Sequence, residues 1–253
     1  MLKVIRDTAG WSLHGANGML REGALTAQVD LGHPPTGLHG LQLNRVALEG
    51  YLLSVSPGNA TNWPADVGDA YVRGRDLVAT YKPAGDWPYA PQIYWTAGAG
   101  ETGGNVFAAV SLLVSIQTNL LDTHPLVDVG SRLSAEAMLR VRSSEDDGVQ
   151  AELLPEGEQA FAPGAATSCV LWRLADRPMS YAEIVSASDY RQLTIDYRPG
   201  GWCETRWQLF AEFLEKGVIR RARIHAAFLP RERDVRLAAD WCRAVERRPL
   251  PLT

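Results

Sequence analysis

The sequence predicts a mainly β protein (β-rich α+β): two tandem homologous lobes, each an antiparallel sheet with a minor helix, related by a pseudo-two-fold. Three observations predict it. Leu77-Val-Ala-Thr-Tyr81-Lys82-Pro83-Ala-Gly85 recurs as Leu193-Thr-Ile-Asp-Tyr197-Arg198-Pro199-Gly-Gly201, and Gln92 recurs as Gln208 at the same offset of 116 residues. A repeat this long signals duplicated lobes rather than a solenoid. Long period-two alternations follow each copy, and Pro- or Gly-bearing turns separate the apolar stretches. The expected lobes are residues 1–130, with expanded loops, and residues 131–253, with a C-terminal helix.

Taken in order, Leu25, Ala27, Val29 and Leu31 predict an early strand. Leu77, Ala79 and Tyr81 predict a short one ending at the Tyr-Lys-Pro turn. Gln92 to Ala97 and Val106 to Leu120 read as two arms of a hairpin joined by Gly98 to Asn105. In the second arm Val110, Leu112, Val114 and Ile116 share one parity, and Ser111, Ser115 and Gln117 the other. That is a strand with one face on a core and one mostly wet. Ser134 to Val141 is expected to be the first lobe's helix, and Val149 to Leu154 a weak strand. Ser180-Tyr-Ala-Glu183 matches a capping box for a short helix. Trp207 to Leu214 and Val218 to Phe228 should repeat the hairpin, with Arg221, Arg223 and His225 on its wet parity. Asp234 then caps a helix carrying Ala238, Trp241, Cys242 and Val245 on one face, stopped by Pro249.

Composition excludes several classes. With 253 residues, 46% hydrophobic, 21% charged and a net charge of −4, the chain is neither disordered nor broadly basic. Its three cysteines, Cys169, Cys203 and Cys242, form no disulfide framework or zinc set. Met1 to Asp7 turns polar too early for a signal peptide, and no apolar run is long enough to span a bilayer. A cytoplasmic protein with no membrane contact is expected, with homo-oligomerisation left open. No motif implies a cofactor or a metal, and no nucleophile elbow or phosphate loop is present.

The shared turns, Tyr81-Lys82-Pro83 before Trp87 and Tyr197-Arg198-Pro199 before Trp202, place a cation between aromatics, and read best as fold-bearing corners. Candidate ligand-binding residues lie where the first copy is expanded: Asn62, Trp63, Asp66, Asp69, Asp86, Trp87 and Tyr89, with Asn59, Glu101 and Asn105 nearby. Flat aromatic faces beside carboxylates and amides suit sugar rings. The leading expectation is a non-catalytic binding or scaffold protein for a small molecule, saccharide or peptide. A carbohydrate-active enzyme using Asp66, Asp69 or Asp86 is the alternative. A nucleic-acid clamp using the C-terminal arginines ranks last, because acids interleave those arginines and no aromatic series accompanies them.

Overall fold

The computed structural model describes residues 10–58, 63, 66–83, 87–98, 106–143, 148–164, 167–210 and 212–246. An N-terminal antiparallel sheet is built from β1 (Gly10–His14), β2 (Asn17–Glu22), β3 (Leu25–Asp30), β4 (His39–Leu43) and β5 (Val46–Ala47) in that spatial order. There follow β6 (Tyr51–Pro57), β7 (Val67–Arg73), β8 (Asp76–Tyr81), β9 (Tyr89–Ala97), β10 (Ala108–Thr118), β11 (Leu126–Ser143) and β12 (Val149–Leu153). The remaining strands are β13 (Gly157–Phe161), β14 (Ser168–Leu174), β15 (Met179–Val185), β16 (Gln192–Tyr197), β17 (Trp202–Phe210) and β18 (Ile219–Pro230). A 3-10 turn, Arg231–Arg233, leads into the single α-helix among the described residues, α1 (Asp234–Glu246). The protein is thus mainly antiparallel β, as its alternations predict.

Strands β6 to β18 form two layers joined through β11. Its first part, Leu126 to Ser134, pairs with β17 and β6, and the layer continues through β16 to β13. Its second part pairs with β14 and β12, and that larger layer runs β14–β15–β18–β10–β9–β8–β7. The changeover is a bulge at Glu136, where the register slips between Ala135 and Ala137. Leu133 and Ala135 face the core before the bulge, Met138 faces it after, and Leu139 and Val141 turn to the helix side. A bulge therefore gives apolar residues at 135, 138 and 139, the spacing of a helix. This is why Ser134 to Val141 reads as helical in sequence although it is strand. The Tyr197 hydroxyl donates to the Glu136 carbonyl at 2.7 Å, and Gly200 N donates to the Ala135 carbonyl at 3.1 Å. The Tyr197-Arg198-Pro199 turn thus fastens the bulge, a fold-bearing task.

The two stretches matched at an offset of 116 residues differ in pairing after that turn. β9 and β10 form the expected hairpin, whereas β17 and β18 do not pair. β17 lies between β16 and β11 in the smaller layer, while β18 lies between β15 and β10 in the larger one. Alternation reports which residues are buried, not whether the partner strand lies beside or opposite. Cys203, Trp207 and Leu209 meet the same core as Ala222, Ile224 and Phe228, but across the sandwich. Leu214 bridges to Thr123, and Gly217 N donates to the Thr118 carbonyl, carrying the chain from one layer to the other. One apolar cluster runs from Trp11 to Phe228, and the boundary expected at residue 130 falls inside β11. The capping-box segment Ser180–Glu183 is also strand: every residue of β15 is buried, so tertiary packing overrides the local signal.

At the centre of the sandwich lies a carboxylate, Glu183, fully buried on β15. Its Oε2 accepts from the Thr205 hydroxyl and the Trp207 indole, each at 2.7 Å across the layers. Its Oε1 accepts from the Tyr181 hydroxyl at 3.0 Å. Ser131, 3.3 Å from that hydroxyl, in turn accepts from Leu53 N at 2.9 Å. Burial and this neighbouring carboxylate push the Tyr181 phenol well above its ordinary pKa.

Candidate functional site

The larger layer has a second face, turned away from the sandwich core. At one end α1 covers it, burying Leu139, Val141, Leu171, Ile184 and Leu229 beneath Ala238, Trp241 and Cys242. At the other end the strand register assembles a polar grid. Arg221, Ser115, Gln92, Thr80 and Asp69 follow one another across β18, β10, β9, β8 and β7. The next row is Arg223, Leu113, Tyr94, Val78 and Tyr71, and the one after it His225, Ser111, Thr96, Asp76 and Arg73. Side chains paired across strands share a face, so register alone places these groups together.

Hydrogen bonds between neighbouring side chains orient the grid. Gln92 donates to the Thr80 hydroxyl at 3.1 Å and accepts from the Tyr94 hydroxyl at 2.7 Å. Thr96 donates to Asp76 at 2.7 Å, and the Ser111 hydroxyl lies 2.7 Å from His225 Nδ1. Thr80, Gln92, Tyr94 and Thr96 are half-buried, and Arg221 and Asp69 are exposed. The half-buried and exposed members of the grid therefore offer hydroxyl, amide, carboxylate, phenol and guanidinium groups on one face, while Ser111, Ser115 and His225 are buried within it.

Arg221 also lines a cavity of about 170 Å³ with Asp189, Arg191, Phe210, Glu212 and Arg220. The cavity forms because β15 ends at Val185 and the chain turns back through Ser186 to Asp189. The Asp189 carboxylate then accepts from Arg223 N at 2.8 Å, standing in for the strand partner that has left. Burial raises its pKa, partly offset by that N–H, by Ser188 and by the Arg223 charge. Phe210, at the rim, has φ 68, a left-handed conformation unusual for a side chain of its size. Glu212 is exposed and ion-paired to Arg220 at 2.7 Å.

The residues singled out from sequence separate. Trp63, Trp87 and Tyr89 interlock with Tyr81, with centroids 5.2 to 5.3 Å apart, and all four are buried in the sandwich core. Their ring faces are occupied by one another. Asp66 is exposed, and its carbonyl accepts from Lys82 N. Among the described candidates, Asp69 alone joins the polar grid. Asn62 and Asp86, like Asn59, Glu101 and Asn105, lie outside the described residues. The cation between aromatics is also rearranged: Arg198 pairs with Asp196 at 2.8 Å, and Arg132 instead sits 4.7 Å from the Trp202 ring centroid. Among the described residues no three His, Cys, Asp or Glu converge as metal ligands, and no helix is long and apolar enough to cross a membrane. The signal for Gln92, Tyr94, Ser115 and Arg221 was the wet parity of the long strands, which sequence reading treats as solvated surface.

The smaller layer has an outer polar face as well, centred on Asp128, Arg206 and Gln208. Burial raises the Asp128 pKa, Arg206 and Gln208 offset it, and Oδ1 has no hydrogen-bond partner among the described residues. A raised native pKa stabilises below the ordinary carboxylate value, about 4, and that contribution is lost as pH rises through the native value. Asp128→Asn should therefore gain stability relative to the parent chain between about pH 4 and pH 7. Urea unfolding at both pH values tests this; a difference independent of pH would show that the carboxylate is not strained.

The class of protein so defined is an antiparallel β-sandwich with a polar, hydroxyl-rich outer sheet face. No family model matches the chain, and no curated protein is significantly similar in sequence. Among solved structures, the chain is similar in fold to a galactose mutarotase related enzyme from Lactobacillus acidophilus, with TM-score 0.54 and 8% identity, covering 87% of this chain and 99% of that one. A GH36 alpha-galactosidase, AgaB from Geobacillus stearothermophilus, matches with TM-score 0.45 and 8% identity over 87% of this chain. The chain spans 41% of the length of that galactosidase.

Proposed function

We propose that the protein binds a saccharide on the outer face of its larger layer, between Asp69 on β7 and Arg221 on β18. The observation that carries this reading is the register row Arg221–Ser115–Gln92–Thr80–Asp69, flanked by Tyr94 and Tyr71. Sugar hydroxyls need directional donors and acceptors, and their C–H faces need a flat apolar partner; the row supplies the first and the tyrosines the second. Preorganised side chains on a sheet lose little entropy on binding. The name of the Lactobacillus neighbour, whose fold this chain shares, agrees with a sugar ligand.

Titration of the protein with galactose, glucose and short oligosaccharides, followed by calorimetry, is the test. A bound sugar should lose at least tenfold in affinity on Tyr94→Ala or Arg221→Ala, with the urea midpoint little changed for the exposed Arg221. A sugar whose affinity neither substitution alters would place the site elsewhere, and no binding by any sugar would overturn the reading.

A second reading, an enzyme acting at the adjoining cavity, is favoured by the raised pKa of Asp189. It expects interconversion of freshly dissolved galactose anomers, followed by optical rotation, and loss of that activity in Asp189→Asn. Rotation drifting at the uncatalysed rate removes it.

A further inference from the structure

A second polar concavity lies on another part of the molecule and does not depend on the saccharide reading. Beside α1, a groove of about 670 Å³ is lined by Arg173, Arg231, Arg233, Arg236 and Arg243, with Asp234 and Glu232 the acids on its wall. Asp234 is 2% exposed and already engaged: it accepts from Arg173 at 3.0 Å, from Ser180 at 2.7 Å and from Val235 N at 2.7 Å. Arg231 is taken by Glu136, and one arm of Arg243 by Asp240. Arg233 and Arg236 are exposed, and their side chains make no hydrogen bond or ion pair among the described residues. The other terminal nitrogen of Arg243, Nη1, is buried and lacks an acceptor among them.

Crowding guanidinium groups into one groove is electrostatically unfavourable, and a buried N–H left without an acceptor costs about 1–3 kcal/mol. An anion with several oxygens relieves the first of these at Arg233 and Arg236, whose guanidinium groups are exposed. Arginine is the side chain suited to this, because its planar fork meets phosphoryl oxygens in pairs. The groove has the size of a small-molecule site, about 300–1,000 Å³. Its non-polar lining is Val149 and Val235, with no aromatic ring among the described residues to stack a base. We propose that this groove binds a small anion carrying more than one phosphoryl group, held by Arg233, Arg236 and Arg243, rather than single-stranded nucleic acid.

Pyrophosphate is the probe, titrated calorimetrically into the full chain at low salt. The expected result is saturable binding at one site, weakened at least tenfold in Arg233→Ala/Arg236→Ala and unchanged in Lys216→Ala, which alters an exposed residue of the β17–β18 connection outside the groove lining. Should the double variant fail to fold, Arg236→Gln alone, at an exposed helix position, should still weaken binding several-fold. Absence of saturable binding overturns the proposal, as does equal affinity in the parent and the arginine variants. Tighter binding of a mixed-sequence single-stranded oligonucleotide than of pyrophosphate, lost in the same double variant, would overturn it too and reassign the groove to nucleic acid.

Discussion

Glu183→Ala is expected to lower folding stability by about 3–5 kcal/mol, because three buried donors, each worth about 1–3 kcal/mol when left unpaired, lose their acceptor. Thr205 and Trp207 belong to the smaller layer and Tyr181 to the larger one, so the loss falls on the contact between layers. Glu183→Gln should cost less, about 1–2 kcal/mol. Its amide oxygen can face Thr205 and Trp207 while its NH2 faces Tyr181, whose hydroxyl can accept and donate onward to Ser131, 3.3 Å away. Equilibrium urea unfolding reads both values. An alanine variant within 1 kcal/mol of the parent would show that the carboxylate does not tie the layers together.

Trp87→Ala should be comparably damaging, about 3–5 kcal/mol, since truncating a buried Trp removes its contacts and leaves a cavity. The indole meets Trp63 at 5.2 Å and Tyr89 at 5.3 Å, and only 8% of it is exposed. Under conditions where the variant remains folded, affinity for any sugar bound by the parent should be unchanged within twofold. Loss of binding without loss of stability would return the site to the loops of the first half. The two readouts thus separate an aromatic that packs from one that recognises.

Much of the fold was legible because burial leaves a direct trace in sequence. The parity of Val110, Leu112 and Val114 identified β10 and its core face, and Asp234 with Ala238, Trp241 and Cys242 identified α1. What was not legible was the partner of each face. Cys203, Trp207 and Leu209 carry the same alternation whether the next strand lies alongside or across the core, and the bulge at Glu136 imitated helical spacing. The described candidate residues are dispersed for a related reason. Tryptophans beside Pro, Gly and Asn suggest a loop platform, yet Trp63 and Trp87 are buried in the sandwich core against one another. Conversely Gln92, Ser115 and Arg221 looked like solvated strand positions, and only register brought them into one row. Asp69 lay in both sets because its strand carries it from an expanded segment onto the sheet.

The pairing of β10 with β18 has a consequence for how the chain is made. Ala108 lies opposite Phe228, so β10 leaves the ribosome long before its second neighbour exists. During that interval β9 covers one edge of β10 and the other is bare, presenting Val110, Leu112 and Val114 beside unpaired backbone groups. Contacts between such distant segments form late and slowly. Arg221 arrives on the strand that seals this edge, so the polar row is complete only in a finished chain. Translation order therefore completes the proposed binding surface only once β18 has been made, with the Arg231–Arg233 turn and α1 still to follow.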